Sequence, residues 1–330
     1  MKQTTLIFLL VFSLTVHKLS QATENLSNVK NQNINTTKTA LIGATVLSPH
    51  LEFPIKDAVV LINNGKIEFI GQKGMKIQPS YKKIDITGRW LVPGYIDSHI
   101  HLFQSAGAFT RPDLIDYSNI RSYKEDYDWI RKNLNDTFAR YLSSGVTSAV
   151  DMGGPNWNFK IRDKANNMLY APQLAVAGPL ISPITVEQLD MGDPPIIKAS
   201  STAQAVDYVK QQLKQHPNLI KIWWVRRPEL DLNDQIEMFT AAIDLAHKNN
   251  VRVAVHAFEM ETAKEAIKAG ADILVHGVVD ELVDDEFINL MKQAKVIYIP
   301  TLIALTLDHE LYRNNVKFTA FEIAHSHPDI

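Results

Sequence analysis

Residues 91–101 are the most informative part of this 330-residue chain: Leu91-Val92-Pro93-Gly94-Tyr95-Ile96-Asp97-Ser98-His99-Ile100-His101. A proline–glycine turn leads into an apolar run that ends in two histidines. Successive side chains of a β-strand point to opposite faces of the sheet, so His99 and His101 face the same way. Two imidazoles on one buried face are costly unless they are paired or bind a metal. The stretch therefore predicts a buried strand that carries two candidate metal ligands.

Three further candidate ligands lie at or near the ends of apolar, strand-like runs. They are Lys221 in the run 219–224, His256 after the run 251–255 and His276 after the run 272–275. Taken alone, a buried histidine is more often a hydrogen-bonded core residue, and a lysine at a strand end is more often a solvated charge. Their joint pattern is what suggests a metal site.

Downstream of Gly94, apolar runs alternate with amphipathic segments. Seven runs are candidate strands, at residues 95–101, 146–151, 173–178, 219–224, 251–256, 272–276 and 295–301. Such strands, separated by helices, are typical of a parallel sheet covered on both faces. The candidate ligands lie toward the C-terminal ends of their strands, where a (β/α)8 TIM-like barrel carries its chemistry. An open doubly wound sheet is the competing α/β architecture, but no Gly-x-Gly-x-x-Gly sequence is present.

Amphipathic segments predict the helices between these strands. Ile130, Leu134, Phe138 and Leu142 mark one apolar helical face that ends at Gly145. The other apolar faces lie within residues 236–246, 263–267 and 283–291.

The first 22 residues have the pattern of a signal peptide. A basic Lys2 precedes an apolar core, and the small residues before the predicted cleavage after Ala22 fit a signal peptidase. The apolar core is short for a membrane span, although an uncleaved anchor is the alternative. We therefore expect an exported protein, periplasmic or secreted, without a stable membrane span.

Three further regions follow the signal peptide. Residues 23–38 are polar and aperiodic, which predicts a flexible lead-in. Residues 39–92 contain short β-like runs separated by turn signals such as Asn63-Asn64-Gly65, which predicts a small β domain. Residues 93–330 then supply the barrel.

Composition narrows the partners and the ligand chemistry. The chain has 34 basic and 36 acidic residues, so it lacks the positive footprint of a nucleic-acid-binding protein. It has no cysteine, which excludes disulfides and thiolate metal ligands and leaves histidine, carboxylate and modified lysine. The expected partner is a small molecule or a dipeptide, and a homo-oligomer is compatible with the sequence.

These residues together resemble the amidohydrolase superfamily of metal-dependent hydrolases. Residues 92–102 resemble its entry strand, 220–222 its fourth strand, and 255–277 its fifth and sixth strands. The similarity extends over residues 39–301 and is greatest to the imidazolonepropionase-related and prolidase-like branch, which includes dipeptidases.

The resemblance implies a pair of divalent metal ions, usually zinc. His99 and His101 would bind the first ion, and His256 and His276 the second. Lys221 would bridge both as a carbamate, because an ammonium would repel two cations whereas a carbamylated lysine is an anionic ligand. Lys221 and His276 are the implied catalytic residues. Such a site supplies hydroxide at neutral pH and polarises a carbonyl, which predicts hydrolysis of amide or related carbon–nitrogen bonds.

Residues near the same strand ends are candidates for binding substrate. Trp223, Arg226 and Arg227 follow the bridging lysine, and an arginine offers a forked pair of donors to a carboxylate. Asp151, at the end of the second strand, lies at the same rim, where a simple turn is the alternative. A packed loop with solvated arginines is the alternative for the first three.

Other residues near the expected site have less definite assignments. Asp97 lies on the same strand face as His99, where it is a candidate to support a ligand or a structural carboxylate. Trp224 follows the bridging lysine at the same rim. Tyr298 and His309 lie near the expected mouth without an assigned role.

The sequence pattern also predicts that the barrel is incomplete. In the amidohydrolase pattern an aspartate at the end of strand eight binds the first metal and shuttles protons. Residues 296–301 form the seventh candidate strand, and neither Asp308 nor Asp329 lies in a strand-like run. We therefore expect the eighth strand and its aspartate to be missing, as in a fragment, a degraded paralogue or part of a split protein.

Two alternatives to a binuclear hydrolase remain open on the sequence. One is a mononuclear hydrolase or deaminase of cyclic amides and amidines, in which Lys221 is a spectator. The other is a catalytically inactive protein that binds metal or a partner.

Overall fold

The structure is a computed structural model that describes residues 38–72, 74–104, 110–302, 313 and 317–326. The predicted signal peptide lies outside the described residues, as does the lead-in except for Lys38. No helix in the described ranges is long and apolar enough to cross a membrane. Residue contacts divide the chain into two units, Met1–Pro93 and Gly94–Ile330.

Met1–Pro93 contains a five-stranded sheet. Its strands are β1 (Thr39–Val46), β2 (Ile55–Asn63), β3 (Lys66–Gln72), β4 (Lys82–Asp85) and β5 (Trp90–Leu91). The order is β3-β2-β1-β4, and β5 pairs with β1. Asn64 and Gly65 take φ values of 52° and 70° in the β2–β3 turn, as a two-residue hairpin turn of this type requires. Val46, Ala58 and Val60 form the buried apolar cluster.

Gly94–Ile330 alternates strands with helices. Its strands are β6 (Tyr95–Ile100), β7 (Val146–Asp151), β8 (Gln173–Val176), β9 (Leu180–Ser182), β10 (Ile196–Lys198), β11 (Leu219–Trp223), β12 (Arg252–His256), β13 (Ile273–Val275) and β14 (Ile297–Ile299). Its α-helices are α1 (Tyr123–Lys132), α2 (Leu134–Ser143), α3 (Trp157–Ala165), α4 (Thr202–Leu213), α5 (Leu232–Lys248), α6 (Met260–Lys268), α7 (Asp285–Ala294) and α8 (Ala320–His325).

The strands of this unit are parallel and form two sheets. Strands β6-β7-β8 form one sheet, and β10-β9-β11-β12-β13-β14 form the other. Between the sheets, the backbone N–H of Asn218 donates to the Val176 carbonyl and its side-chain oxygen accepts from the Val176 N–H, both at 3.0 Å. Parallel strands that alternate with helices make this an α/β, TIM-like fold.

All seven strands predicted after Gly94 are present, but the sequence interpretation missed or merged some elements. The short strands β5, β9 and β10 were not predicted, because two or three apolar residues give no periodic signal. The apolar face assigned to one helix between residues 130 and 142 belongs to two helices, α1 and α2. They are separated at Asn133, which takes φ −110° and ψ 28°.

Strand register places His256 and His276 side by side at the C-terminal ends of the strands in the larger sheet. Trp223 pairs with His256, and His256 pairs with Val275, the residue before His276. The strands are held there by apolar packing, in which Phe239 and Ile243 of α5 are fully buried in the same cluster as Ile220 and Ile222 of β11. A rigid apolar base therefore carries the polar strand ends.

Candidate functional site

Four histidines from three strands converge at the C-terminal ends of the strands. The ring centroids are 5.2 Å apart for His99 and His101, 4.7 Å for His99 and His276, and 4.5 Å for His256 and His276. Residues far apart in sequence thus form one continuous cluster of imidazoles. The structure brings together all four histidines that the sequence suggested.

Two of these rings are oriented through their Nδ1 atoms. His101 Nδ1 lies 2.7 Å from the carbonyl oxygen of Gly153, so in the neutral ring this nitrogen carries the proton and donates it. His276 Nδ1 lies 2.7 Å from the hydroxyl of Thr301. Fixing one ring nitrogen in this way leaves Nε2 of His101 with a lone pair, the form in which imidazole binds a metal.

Lys221 is buried beside the histidines without a neutralising partner. Its side chain is 1% exposed, and its Nζ makes no hydrogen bond to any residue that the structure describes. Burial lowers the pKa of Lys221 to about 7. A buried amine without an acceptor is costly, and a lysine in this state is one that gains from covalent modification or from a bound anion.

The histidines are held in their neutral form. Burial, followed by repulsion from Lys221, lowers the pKa of His99 far below its usual range and also depresses that of His256. Burial lowers the pKa of His101 to about 4 and that of His276 to about 3. Neutral imidazoles are metal ligands, whereas imidazolium ions are not.

The spacing of His99 and His101 fits two ligands of one divalent metal ion. The Nε2 atoms of His99 and His101 are 3.4 Å apart. Two ligands of one tetrahedral zinc ion lie about 3.3 Å apart, since each Zn–N bond is about 2.0–2.1 Å. Within the described ranges, no three His, Cys, Asp or Glu side chains are arranged to hold one ion. Lys221 lies near enough for its charge to act on all four rings.

Asp151 lies beside this cluster but is enclosed by protein. It is fully buried, and its two oxygens accept hydrogen bonds from the Leu102 and Gly153 N–H groups and from the Asn158 side chain. Burial raises the pKa of Asp151, whereas the three hydrogen bonds lower it because N–H donors on both oxygens stabilise the ionised carboxylate. This geometry gives no support to the prediction that Asp151 binds substrate.

A cleft of about 710 Å³ opens onto the histidines. Its wall is largely apolar and aromatic, and includes Phe103, Trp223 and Phe258. The ring centroids of Trp223 and Phe258 are 5.9 Å and 4.5 Å from that of His256. Trp223 therefore lies where the sequence predicted a residue of the substrate site.

The two predicted arginines differ in position. Arg227 lines the cleft. Arg226 instead donates to Glu261 at 3.2 Å and to the Leu230 carbonyl at 3.1 Å, and it is not among the lining residues of the cleft. Of these two arginines, Arg227 is therefore the one at the cleft, where it also donates to the Arg226 carbonyl at 3.4 Å.

Sequence reasoning missed several residues of the site. Arg111 lines the cleft and makes a two-pronged ion pair with Asp113 at 2.8 and 2.7 Å, but no motif surrounds it. Thr301 is the last residue of one candidate strand and Phe258 follows the end of another, and that position was the signal available for them.

The remaining candidates have structural contacts or lie outside the described residues. Asp97 accepts a hydrogen bond from the backbone N–H of His99 at 3.1 Å. Trp224 is fully buried against Phe239, and the Tyr298 hydroxyl accepts from the Val278 N–H at 3.3 Å. His309, Asp308 and Asp329 lie outside the described residues.

The chain belongs to the amidohydrolase family, whose model matches residues 90–330. It is 30% identical to guanine deaminase of Escherichia coli over 109 residues, which are 30% of this chain and 25% of that protein. It is 49% identical to imidazolonepropionase of Idiomarina loihiensis over 49 residues, 14% of this chain and 12% of that protein. The match thus spans a quarter or less of each of these two relatives.

A solved structure has a similar fold. A putative prolidase from Bifidobacterium longum is 25% identical, with a TM-score of 0.63, and the match covers 88% of this chain and 67% of that one. The family predicted from the strand motifs, with its imidazolonepropionase-related and prolidase-like neighbours, is confirmed.

Proposed function

We propose that this protein is a metal-dependent hydrolase of carbon–nitrogen bonds in amides or dipeptides. The observation that carries the proposal is the cluster of four neutral imidazoles around a buried, unpaired lysine at the floor of an open cleft. Such a set of buried polar groups is unfavourable for stability by itself. It is favourable for binding divalent cations, because every ring can offer a lone pair.

The resemblance to the amidohydrolase family, rather than the ring spacing, assigns the residues that would hold the ions. His99 and His101 would bind one ion, and His256 and His276 the other. When bound, divalent ions of this kind lower the pKa of coordinated water and polarise a substrate carbonyl. The chain keeps the rings neutral and fixes the Nδ1 atom of His101 against the Gly153 carbonyl.

Lys221 would join the two halves of the site as a carbamate. A pKa of about 7 leaves much of this amine unprotonated at neutral pH, and the free amine is the form that attacks carbon dioxide. The product is an anionic carboxylate-like group and one released proton. The modification replaces a repulsive ammonium with a ligand for two cations.

The cleft supports a substrate with an apolar part and a carboxylate. Arg227 offers forked donors at the wall, and Trp223 and Phe258 supply apolar surface beside His256. The solved relative described as a putative prolidase is in line with a dipeptide substrate. Arg227 would orient the carboxylate so that the amide bond lies over the histidines.

A second candidate is the hydrolysis of cyclic amides or amidines at a single ion. The names of the relatives guanine deaminase and imidazolonepropionase favour it. In that case Lys221 would be a spectator, and the ion would depend on histidines alone.

Three proposals rest on the sequence. Residues 1–22 would direct export to the periplasm or the medium, residues 39–92 would form a small domain before a (β/α)8 barrel, and the protein would act alone or as a homo-oligomer. Neither a membrane span nor a nucleic-acid partner forms part of this proposal.

Hydrolysis assays with a matched pair of histidine variants test the function. The wild type and the variants His256→Gln and His247→Gln are purified, loaded with zinc and assayed with a panel of dipeptides, N-acyl amino acids and cyclic amides. His247 lies on α5 and pairs with Asp272, outside the cleft. We expect hydrolysis by the wild type and His247→Gln, with a loss of more than about 100-fold in His256→Gln, since removing a ligand should exceed the typical effect of removing its support. An inactive zinc-loaded wild type, or equal rates in the two variants, would contradict the proposal and favour the catalytically inactive alternative.

A further inference from the structure

Asp151 connects the chain segments that follow β6 and β7. Its Oδ2 accepts from the Leu102 N–H at 3.0 Å and from the Asn158 side chain at 2.9 Å, and its Oδ1 accepts from the Gly153 N–H at 2.9 Å. Leu102 directly follows His101. One buried carboxylate thus fixes the backbone next to a candidate ligand and the turn that contacts the ring of that ligand.

Gly153 connects the Asp151 carboxylate to the imidazole of His101, because its N–H bonds to the first and its carbonyl to the second. The carbonyl of Gly153 accepts the hydrogen bond from His101 Nδ1 at 2.7 Å, and the next N–H in the chain, that of Gly154, donates to Gly178 at 3.1 Å. Gly153 has φ +115°, and a Cβ there would lie 2.7 Å from a methyl group of Leu180. The peptide is therefore fixed from several sides in a conformation that suits glycine.

The three donors around Asp151 require an acceptor on both side-chain oxygens. An asparagine has the same shape, but its NH2 group would replace one of the two oxygens. That group would then face either the Gly153 N–H or the donors from Leu102 and Asn158, and a donor cannot accept a hydrogen bond. The mismatch would leave buried N–H groups unpaired and would displace the Leu102 or the Gly153 segment. Asp151 thus differs from a residue that merely fills space.

We propose that Asp151 is a positioning residue, which sets the tautomer and orientation of His101 through the Gly153 peptide. This inference rests on the proposed function, because it takes His101 to be a metal ligand. Hydrogen-bonded supports of metal-binding histidines fix the ring and the protonated nitrogen. Asp151 would act one peptide further away, without touching metal or substrate.

The nitrogen signals of His101 in the metal-free full chain test the proposal directly. In protein labelled with 15N-histidine, the imidazole shifts distinguish an Nδ1–H ring from an Nε2–H ring, and His101→Gln identifies the signal. We expect one Nδ1–H tautomer in the wild type and a mixture of tautomers in Asp151→Asn. Zinc affinity, measured by competition with a chelator, should fall about 10- to 100-fold in the same variant.

Asp193→Asn is the matched control. Asp193 also accepts three hydrogen bonds, from the Asn156 and Trp157 N–H groups and the Asn156 side chain, but these bonds involve neither Gly153 nor Leu102. We expect the His101 tautomer and the zinc affinity of Asp193→Asn to match the wild type. An unchanged tautomer and affinity in folded Asp151→Asn would overturn the proposal.

Asn158→Ser serves if Asp151→Asn does not fold, as judged by circular dichroism. It removes one of the three donors and should cause the same changes at smaller size, and wild-type behaviour in this variant would then overturn the proposal. A wild type that binds no zinc would refute the proposed function, while the tautomer comparison in metal-free protein would still decide the role of Asp151.

Discussion

Polar side chains at the two ends of β12 and β13 differ in their pairing. At the N-terminal ends, Asp272 accepts hydrogen bonds from His247 at 2.8 Å and from the Val253 N–H at 2.7 Å, and both side chains are partly exposed. At the C-terminal ends, His256 and His276 lie against each other beside buried, unpaired Lys221. The polar groups at the N-terminal ends are paired, which stabilises the folded protein. Those at the C-terminal ends are buried without such pairing and would be stabilised only by a bound ligand.

Among substitutions at the two ends, replacement of Lys221 should change the free energy of unfolding most. In metal-free protein kept free of carbon dioxide at pH 7, we expect Lys221→Met to raise the free energy of unfolding by about 1–4 kcal/mol, since an apolar side chain of similar size removes a buried, uncompensated amine. Chemical denaturation measures the change. Lys268→Met, which removes an exposed lysine paired with Glu265, should have little effect.

The pH dependence of this gain follows from the lowered pKa of Lys221. Between pH 7 and 10.5 the unfolded chain keeps a proton on this amine that the folded protein has lost, so the stability of the wild type rises with pH through that window. The advantage of Lys221→Met should therefore shrink from pH 7 to pH 10. An advantage that is constant over this range would show that the amine is not buried as described.

Acidification should destabilise the histidine end of the strands. The pKa of His101 is lowered from 6.5 to about 4 and that of His276 to about 3, so below pH 6.5 the unfolded chain takes up protons that the folded site does not. The unfolding free energy of metal-free protein should fall from about pH 6.5 toward pH 4. His276→Gln should reduce this dependence, whereas an unchanged slope in that variant would contradict the assignment.

The smallest effect is expected at the paired end. Asp272→Asn weakens the contacts to His247 and Val253 and should lower the free energy of unfolding by about 1 kcal/mol. Zinc affinity and activity should remain those of the wild type, because Asp272 does not line the cleft. A loss of zinc binding in this variant would contradict the claim that metal binds only at the C-terminal ends of the strands.

The sequence was sufficient for the parts of the fold and site that depend on local pattern. Apolar runs predicted each of the seven strands after Gly94, and the residues at their ends supplied the four clustered histidines and Lys221. These predictions succeeded because a parallel α/β unit brings the C-terminal ends of its strands together.

The sequence was insufficient wherever a contact between distant segments decides the outcome. Arg226 and Arg227 are adjacent in sequence, yet Glu261 and the Leu230 carbonyl engage only the first. Asp151 resembled a rim residue, and its burial depends on Leu102 and Asn158, which no spacing rule connects with it. The break at Asn133 likewise interrupts an apolar face that continues across two helices.

The number of metal ions bound per chain distinguishes a binuclear site from the alternatives. Full-length protein stripped with a chelator is titrated with zinc in the presence of bicarbonate, and bound metal is measured by elemental analysis for the wild type, Lys221→Ala and His247→Gln. We expect about two ions per chain in the wild type and His247→Gln, and loss of both together in Lys221→Ala. One ion that persists in Lys221→Ala would favour the mononuclear alternative, and a wild type that binds no zinc tightly would contradict the account.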